Sequence, residues 1–147
     1  MLNKFFRKIS GNEGMTLIEV LLSLVILSIV LLSFVTFFIQ SAKTSQQSSN
    51  ILDATYIAQT YMEKFYQAST KQPYDAALNE MITEEAFQKK SSSGEYIELS
   101  KADGNFSTVA KLGRPQNGVS SIVIKIYNDA KQSRLEAQME TRLAWKK

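Results

Sequence analysis

Glu19 is the residue whose placement most demands a chemical reason. It stands immediately before Val20–Ile39, twenty residues without a charge. An ionised carboxylate inside a bilayer costs on the order of 2.5–3.5 kcal/mol even on lenient insertion scales, so its position marks a functional site unless it lies shallow, among the headgroups. The chemistry open to it is pairing with a cation. Other chemistry is sparse: the chain has no His and no Cys, which removes the usual zinc ligands and the commonest general base. No catalytic residue, metal ligand set or cofactor is therefore assigned. Ser91, Ser92 and Ser93 beside Lys89 and Lys90 have the composition of a Ser/Lys nucleophile pair, but a solvated loop is the preferred reading. Glu84-Glu85 lacks the spaced oxygen-ligand loop of a calcium site. Arg142, Trp145, Lys146 and Lys147 could contact a phosphate and stack on a base, although one aromatic among three charges is thin support.

The elements that must position Glu19 follow from hydropathy and charge. Twenty apolar residues as a helix cross the roughly 30 Å hydrocarbon layer. Lys4, Arg7 and Lys8 precede the run, and only Lys43 follows closely. The positive-inside bias thus puts the N-terminus in the cytoplasm and residues 40–147 outside. A secretory signal peptide, with an apolar region of about 7–15 residues and a small-residue cleavage site, fits poorly: the run is longer, and Ser41-Ala42 makes a weak site. The net charge of +3 (17 basic, 14 acidic residues) concentrates in the leader, where Lys4, Arg7 and Lys8 against Glu13 leave +2 in residues 1–14 and +1 in the rest. That balanced remainder has no nucleic-acid footprint, and direct nucleic-acid contact is not expected.

Gly14-Met15-Thr16-Leu17-Ile18-Glu19-Val20-Leu21-Leu22 resembles the N-terminus of type IV pilins and of the pseudopilins of type II secretion and competence systems. These begin with a basic leader ending in Gly, then a hydrophobic residue, Thr, Leu, an aliphatic residue and Glu, then an apolar helix. Met15 departs from the usual Phe. The resemblance implies cleavage after Gly14 by a prepilin peptidase and N-methylation of Met15. It further implies partnership with other pilin or pseudopilin subunits, with assembly-platform membrane proteins and with lipid. The new amine at Met15, with a reference pKa near ~8, is largely cationic at neutral pH. In a family-like filament that amine on an adjacent subunit would pair with Glu19. An intrachain pair is equally open, since Met15 and Glu19 are four apart on one helical face.

No Gly or Pro occurs from Met15 to Gln72, which predicts either one helix from near residue 15 to near 68 or a span, a connector at 40–50 and a separate helix. Ala54, Ile57, Ala58, Tyr61, Met62 and Phe65 make one apolar helical stripe. Pro73 ends the pattern. A short helix is expected over 76–89, a loop at Ser91-Ser92-Ser93-Gly94, and strands at Tyr96–Leu99, Phe106–Leu112, Val119–Tyr127 and Leu135–Trp145, the last two joined by a turn at 128–132. The fold class expected is α+β: a long N-terminal helix, its first half transmembrane, packed on a C-terminal antiparallel sheet in about 95–145, as in pilins. The organisation expected is a leader at 1–14, an assembly helix at 15–39 and an extracytoplasmic head at 40–147. Tyr56-Ile57-Ala58-Gln59 and Met62-Glu63 loosely resemble the long helix of minor pseudopilins. These readings favour a non-catalytic minor filament subunit serving competence, secretion or pilus assembly. The alternative is an unprocessed single-span protein whose head binds a ligand or partner.

Overall fold

The computed structural model describes residues 15–146. Helix α1 (Leu17–Lys71) is unbroken, as the absence of Gly and Pro allows, so residues 40–50 are helical and not a loose connector. The chain divides into two compact units at Thr44/Ser45. In the first, the side chains of residues 17–39 are exposed, and α1 is long and apolar enough to cross a membrane. A helix in lipid must satisfy its polar groups internally. The hydroxyls of the run do so: Ser23, Ser28, Ser33 and Thr36 each donate to the carbonyl four residues back, at 2.7–3.0 Å.

In the second unit the apolar stripe of α1 is buried as its spacing predicts. Ala54, Ala58 and Phe65 are fully buried and Tyr61 nearly so, while Ile57 and Met62 pack against them. The alanines leave room for a neighbouring layer to come close. After Pro73, helix α2 (Tyr74–Thr83) buries Tyr74, Ala77, Leu78 and Met81. It ends sooner than its stripe suggests. Ala86 adopts a left-handed φ of 56°, the backbone leaves the helix, and the Phe87 N–H bonds the Met81 carbonyl at 3.1 Å while its ring enters the core.

Five antiparallel strands follow in chain order as a meander: β1 (Gln88–Ser92), β2 (Tyr96–Asp103), β3 (Phe106–Gly113), β4 (Val119–Tyr127) and β5 (Leu135–Ala144). The expected sheet is one strand short, because Ser91 and Ser92 lie in β1, not in a loop. That strand is exposed along its whole length and has no buried face to impose alternation. Asn117-Gly118, with φ of 55° and 81°, forms the two-residue turn between β3 and β4, the left-handed geometry that an Asn-Gly hairpin favours. One face of the sheet, with Ile97, Leu99, Ala110, Leu112, Ile122, Ile124, Ile126 and Leu143, closes over the stripe of α1. The architecture is therefore the α+β arrangement of a long N-terminal helix on an antiparallel sheet.

The segment after β5 latches three elements. The Trp145 N–H bonds the Gly118 carbonyl at 2.8 Å, and the Lys146 N–H bonds the Ser69 carbonyl of α1 at 2.9 Å. The indole donates to Ser120 Oγ at 2.7 Å and meets the Tyr74 ring edge-on at 5.0 Å.

Candidate functional site

Thr16 and Glu19 form a reciprocal cap at the start of α1. The Thr16 N–H and hydroxyl both donate to Glu19 Oε2, at 2.8 and 2.9 Å, and the Glu19 N–H approaches Thr16 Oγ1 at 3.4 Å. This is the capping box, in which the residue before the helix and the third residue within it satisfy each other's free backbone donors. Thr16 was not among the expected site residues. The spacing Thr-x-x-Glu ahead of an apolar run was the signal that finds it. The carboxylate thus has two intrachain donors at the mouth of the apolar helix, which reduces the cost of placing it there. Met15 is exposed beside it, and no bond joins it to Glu19 among the described residues. Gly14, Lys4, Arg7 and Lys8 lie outside the described residues, and with them the Gly14–Met15 bond.

The other sequence candidates disperse. Ser93 Oγ accepts from the N–H groups of Glu95 and Tyr96 in the β1–β2 turn, at 3.4 and 3.3 Å, and Lys90 pairs with Glu98 at 3.8 Å, so no Ser/Lys dyad is assembled there. Glu85 is held by Lys64 at 2.6 Å and Lys101 at 3.8 Å. Trp145 is buried and offers no face to a base. Lys147 lies outside the described residues.

A polar network that no sequence spacing announced ties α1 to the sheet. Tyr61 Oη donates to Asp103 Oδ1 at 2.7 Å and Thr108 Oγ1 to Asp103 Oδ2 at 2.6 Å. Lys101 Nζ lies 3.9 Å from Asp103 and 5.0 Å above the Tyr61 ring. Burial, then the bond to Asp103, then the charges of Asp103 and Glu85 hold the Tyr61 phenol above its ordinary pKa. Tyr74 contrasts with it: its hydroxyl is buried without a partner among the described residues, and burial raises its pKa against the opposing charge of Arg114.

The pair yields opposite expectations for the same chemical change. Tyr61→Phe should cost about 1.5–3 kcal/mol, the worth of a hydrogen bond to a charged group, whereas Tyr74→Phe should be neutral or slightly stabilising because it removes an unsatisfied group. Urea unfolding of the full chain in detergent, followed by Trp145 fluorescence, measures both. A phenol whose folded pKa exceeds its unfolded value contributes fully below the unfolded value, and the contribution fades as pH rises through the folded one. The Tyr61→Phe deficit should accordingly hold up to about pH 10 and shrink above it.

The comparisons with known proteins bear on the N-terminal cap and not on the head. No curated protein and no solved structure matches the chain. Residues 9–35, which contain Thr16, Glu19 and most of the apolar run, match the prokaryotic N-terminal methylation motif. The chain therefore carries a type IV pilin-like signature at its N-terminus.

Proposed function

We propose that this chain is the precursor of a non-catalytic, minor pilin or pseudopilin subunit. A prepilin peptidase cleaves it between Gly14 and Met15, and the new amine of Met15 is methylated. Residues 15–39 hold it in the cytoplasmic membrane, with the N-terminus in the cytoplasm and residues 40–147 outside. It then joins other pilin or pseudopilin subunits in an extracytoplasmic filament, assembled on inner-membrane platform proteins for competence, secretion or pilus assembly. The observation that carries this reading is the methylation motif at residues 9–35, set on a helix long and apolar enough to cross a membrane.

A second reading is favoured by one observation. The capping box accounts for Thr16 and Glu19 within a single chain, so an unprocessed single-span protein with a partner-binding head also has a use for both residues. Intact mass and N-terminal sequencing of the membrane-bound protein, with and without prepilin peptidase, separate the two. The precursor reading expects a methylated Met15 only when the peptidase is present. Retention of Met1 in its presence would overturn that reading.

A further inference from the structure

Helix α1 ends without a cap of its own. The last four carbonyls of a helix lack partners within it, and the residues after Lys71 are Gln72 and Pro73, with no glycine to close the turn. Two of those carbonyls are nevertheless satisfied. The Ala68 carbonyl accepts from the Gln72 N–H at 3.1 Å, whereas the Ser69 carbonyl accepts at 2.9 Å from Lys146, which lies beyond the last strand. Ser69 is fully buried, so its carbonyl depends on Lys146 for a partner. The segment after β5 is thus the C-terminal cap of α1, supplied from the opposite end of the head's sequence.

Few contacts hold this cap in place. Besides the Lys146 bond, Trp145 N–H donates to the Gly118 carbonyl at 2.8 Å, the indole donates to Ser120 Oγ at 2.7 Å, and the ring meets Tyr74 edge-on at 5.0 Å. By contrast β5, ten residues long, is laddered along β4. Lifting Trp145 and Lys146 breaks a small part of what unfolding breaks, and native proteins open first where the fewest contacts are lost. The closed arrangement also carries a defect. Tyr74 is only 8% exposed, and its hydroxyl has no partner among the described residues. A buried polar group left unpaired costs free energy, and with the indole lifted from its ring the hydroxyl gains water. Opening is therefore offset in part by relief at Tyr74.

We infer that Trp145-Lys146 is a strap that opens and closes as a unit while the sheet stays folded. Closed, it caps α1 and fixes the last turn of that helix to β4 and α2. Open, it releases the Ser69 carbonyl, loosens the joint between α1 and α2, and uncovers the Tyr74 ring. The strap lies in the head and is independent of N-terminal processing, so it stands or falls separately from the pilin-precursor reading.

The test is amide hydrogen exchange, read by NMR on the full chain in detergent micelles. The Trp145, Lys146 and Gln72 amides are expected to exchange at one common opening rate, at least about 100-fold faster than Ile122 and Ile124 in β4, as local opening requires. Two substitutions should move them in opposite directions. Tyr74→Phe removes the unpaired hydroxyl from the closed state and should slow all three roughly tenfold. Ser120→Ala strands the indole N–H in the closed state and should speed them by a similar factor, in each case the worth of one unpaired buried polar group. Ile122 and Ile124 serve as the reference in each variant, which separates an effect on the strap from one on the whole fold. Exchange of Trp145 and Lys146 as slow as that of β4 would overturn the inference. So would fast exchange at Trp145 and Lys146 with Gln72 unaffected, which is fraying without any hold on α1, or a Tyr74→Phe variant whose three amides are unchanged or faster.

Discussion

Phe65→Ala is expected to lower the stability of the head by about 3–5 kcal/mol, the range for removing a fully buried aromatic ring. Phe65 has no exposed surface and lies 6.0 Å, centroid to centroid, from Phe87, which in turn meets Tyr61 edge-on at 5.0 Å. Its removal leaves a void between helix and sheet that neighbours with branched side chains fill poorly. Against a typical total of about 5–15 kcal/mol, that loss is a large fraction of what holds a domain folded. Trp145 is the chain's single tryptophan and is buried, so its fluorescence in urea gives the unfolding midpoint directly. A shift worth less than about 1 kcal/mol would mean that the helix stripe is not the centre of the core.

The second large effect is expected at Glu19, in assembly instead of folding. Two roles for the carboxylate predict different outcomes for two substitutions. As a capping partner alone, Glu19→Gln should function, because Gln fills the same place in a capping box, while Glu19→Ala should cost the helix start about 0.5–2 kcal/mol. As the charge that pairs with the Met15 amine of another subunit, both Glu19→Gln and Glu19→Ala should be processed normally and both should fail to enter a filament. The pilin-precursor reading predicts the latter: cleaved, membrane-retained protein and loss of incorporation in both. Sheared filament fractions, immunoblotted beside membrane fractions, measure it. Incorporation of Glu19→Gln at the wild-type level would sink the charge-pairing role and leave Glu19 a local cap.

Elements whose residues repeat at a period set by a buried face were legible in the sequence. Ala54, Ala58, Tyr61 and Phe65 declared the inner side of α1, and Ala137 and Met139 alternate with polar neighbours because one face of β5 packs against the core. What escaped notice had no such face or no local spacing. Gln88–Ser92 pairs with β2 through its backbone and the Lys90–Glu98 ion pair, and an exposed edge strand needs no hydrophobic alternation. Ala86 and Phe87 extended the apparent stripe of α2, yet Phe87 reaches the core after a left-handed turn that periodicity does not encode. In the N-terminal site, Glu19 stands out by its charge, whereas Thr16 shows only through its spacing to Glu19, a capping signature. The Tyr61–Asp103 bond could not have been read from sequence, since its partners meet only when helix and sheet pack.

The meander order bears on how the head comes to be folded. Every ladder joins strands adjacent in the chain, so the sheet can grow by successive hairpin closures, each with a small loop-entropy cost. Contacts between helix and sheet are of another kind. The Tyr61–Asp103 bond spans 42 residues, and Lys146 reaches back to Ser69. Ordering of the second layer thus depends on the most distant contacts in the chain, and the apolar stripe of α1 stays uncovered until the sheet has been made. That interval is when this face of the helix is most open to the wrong neighbour.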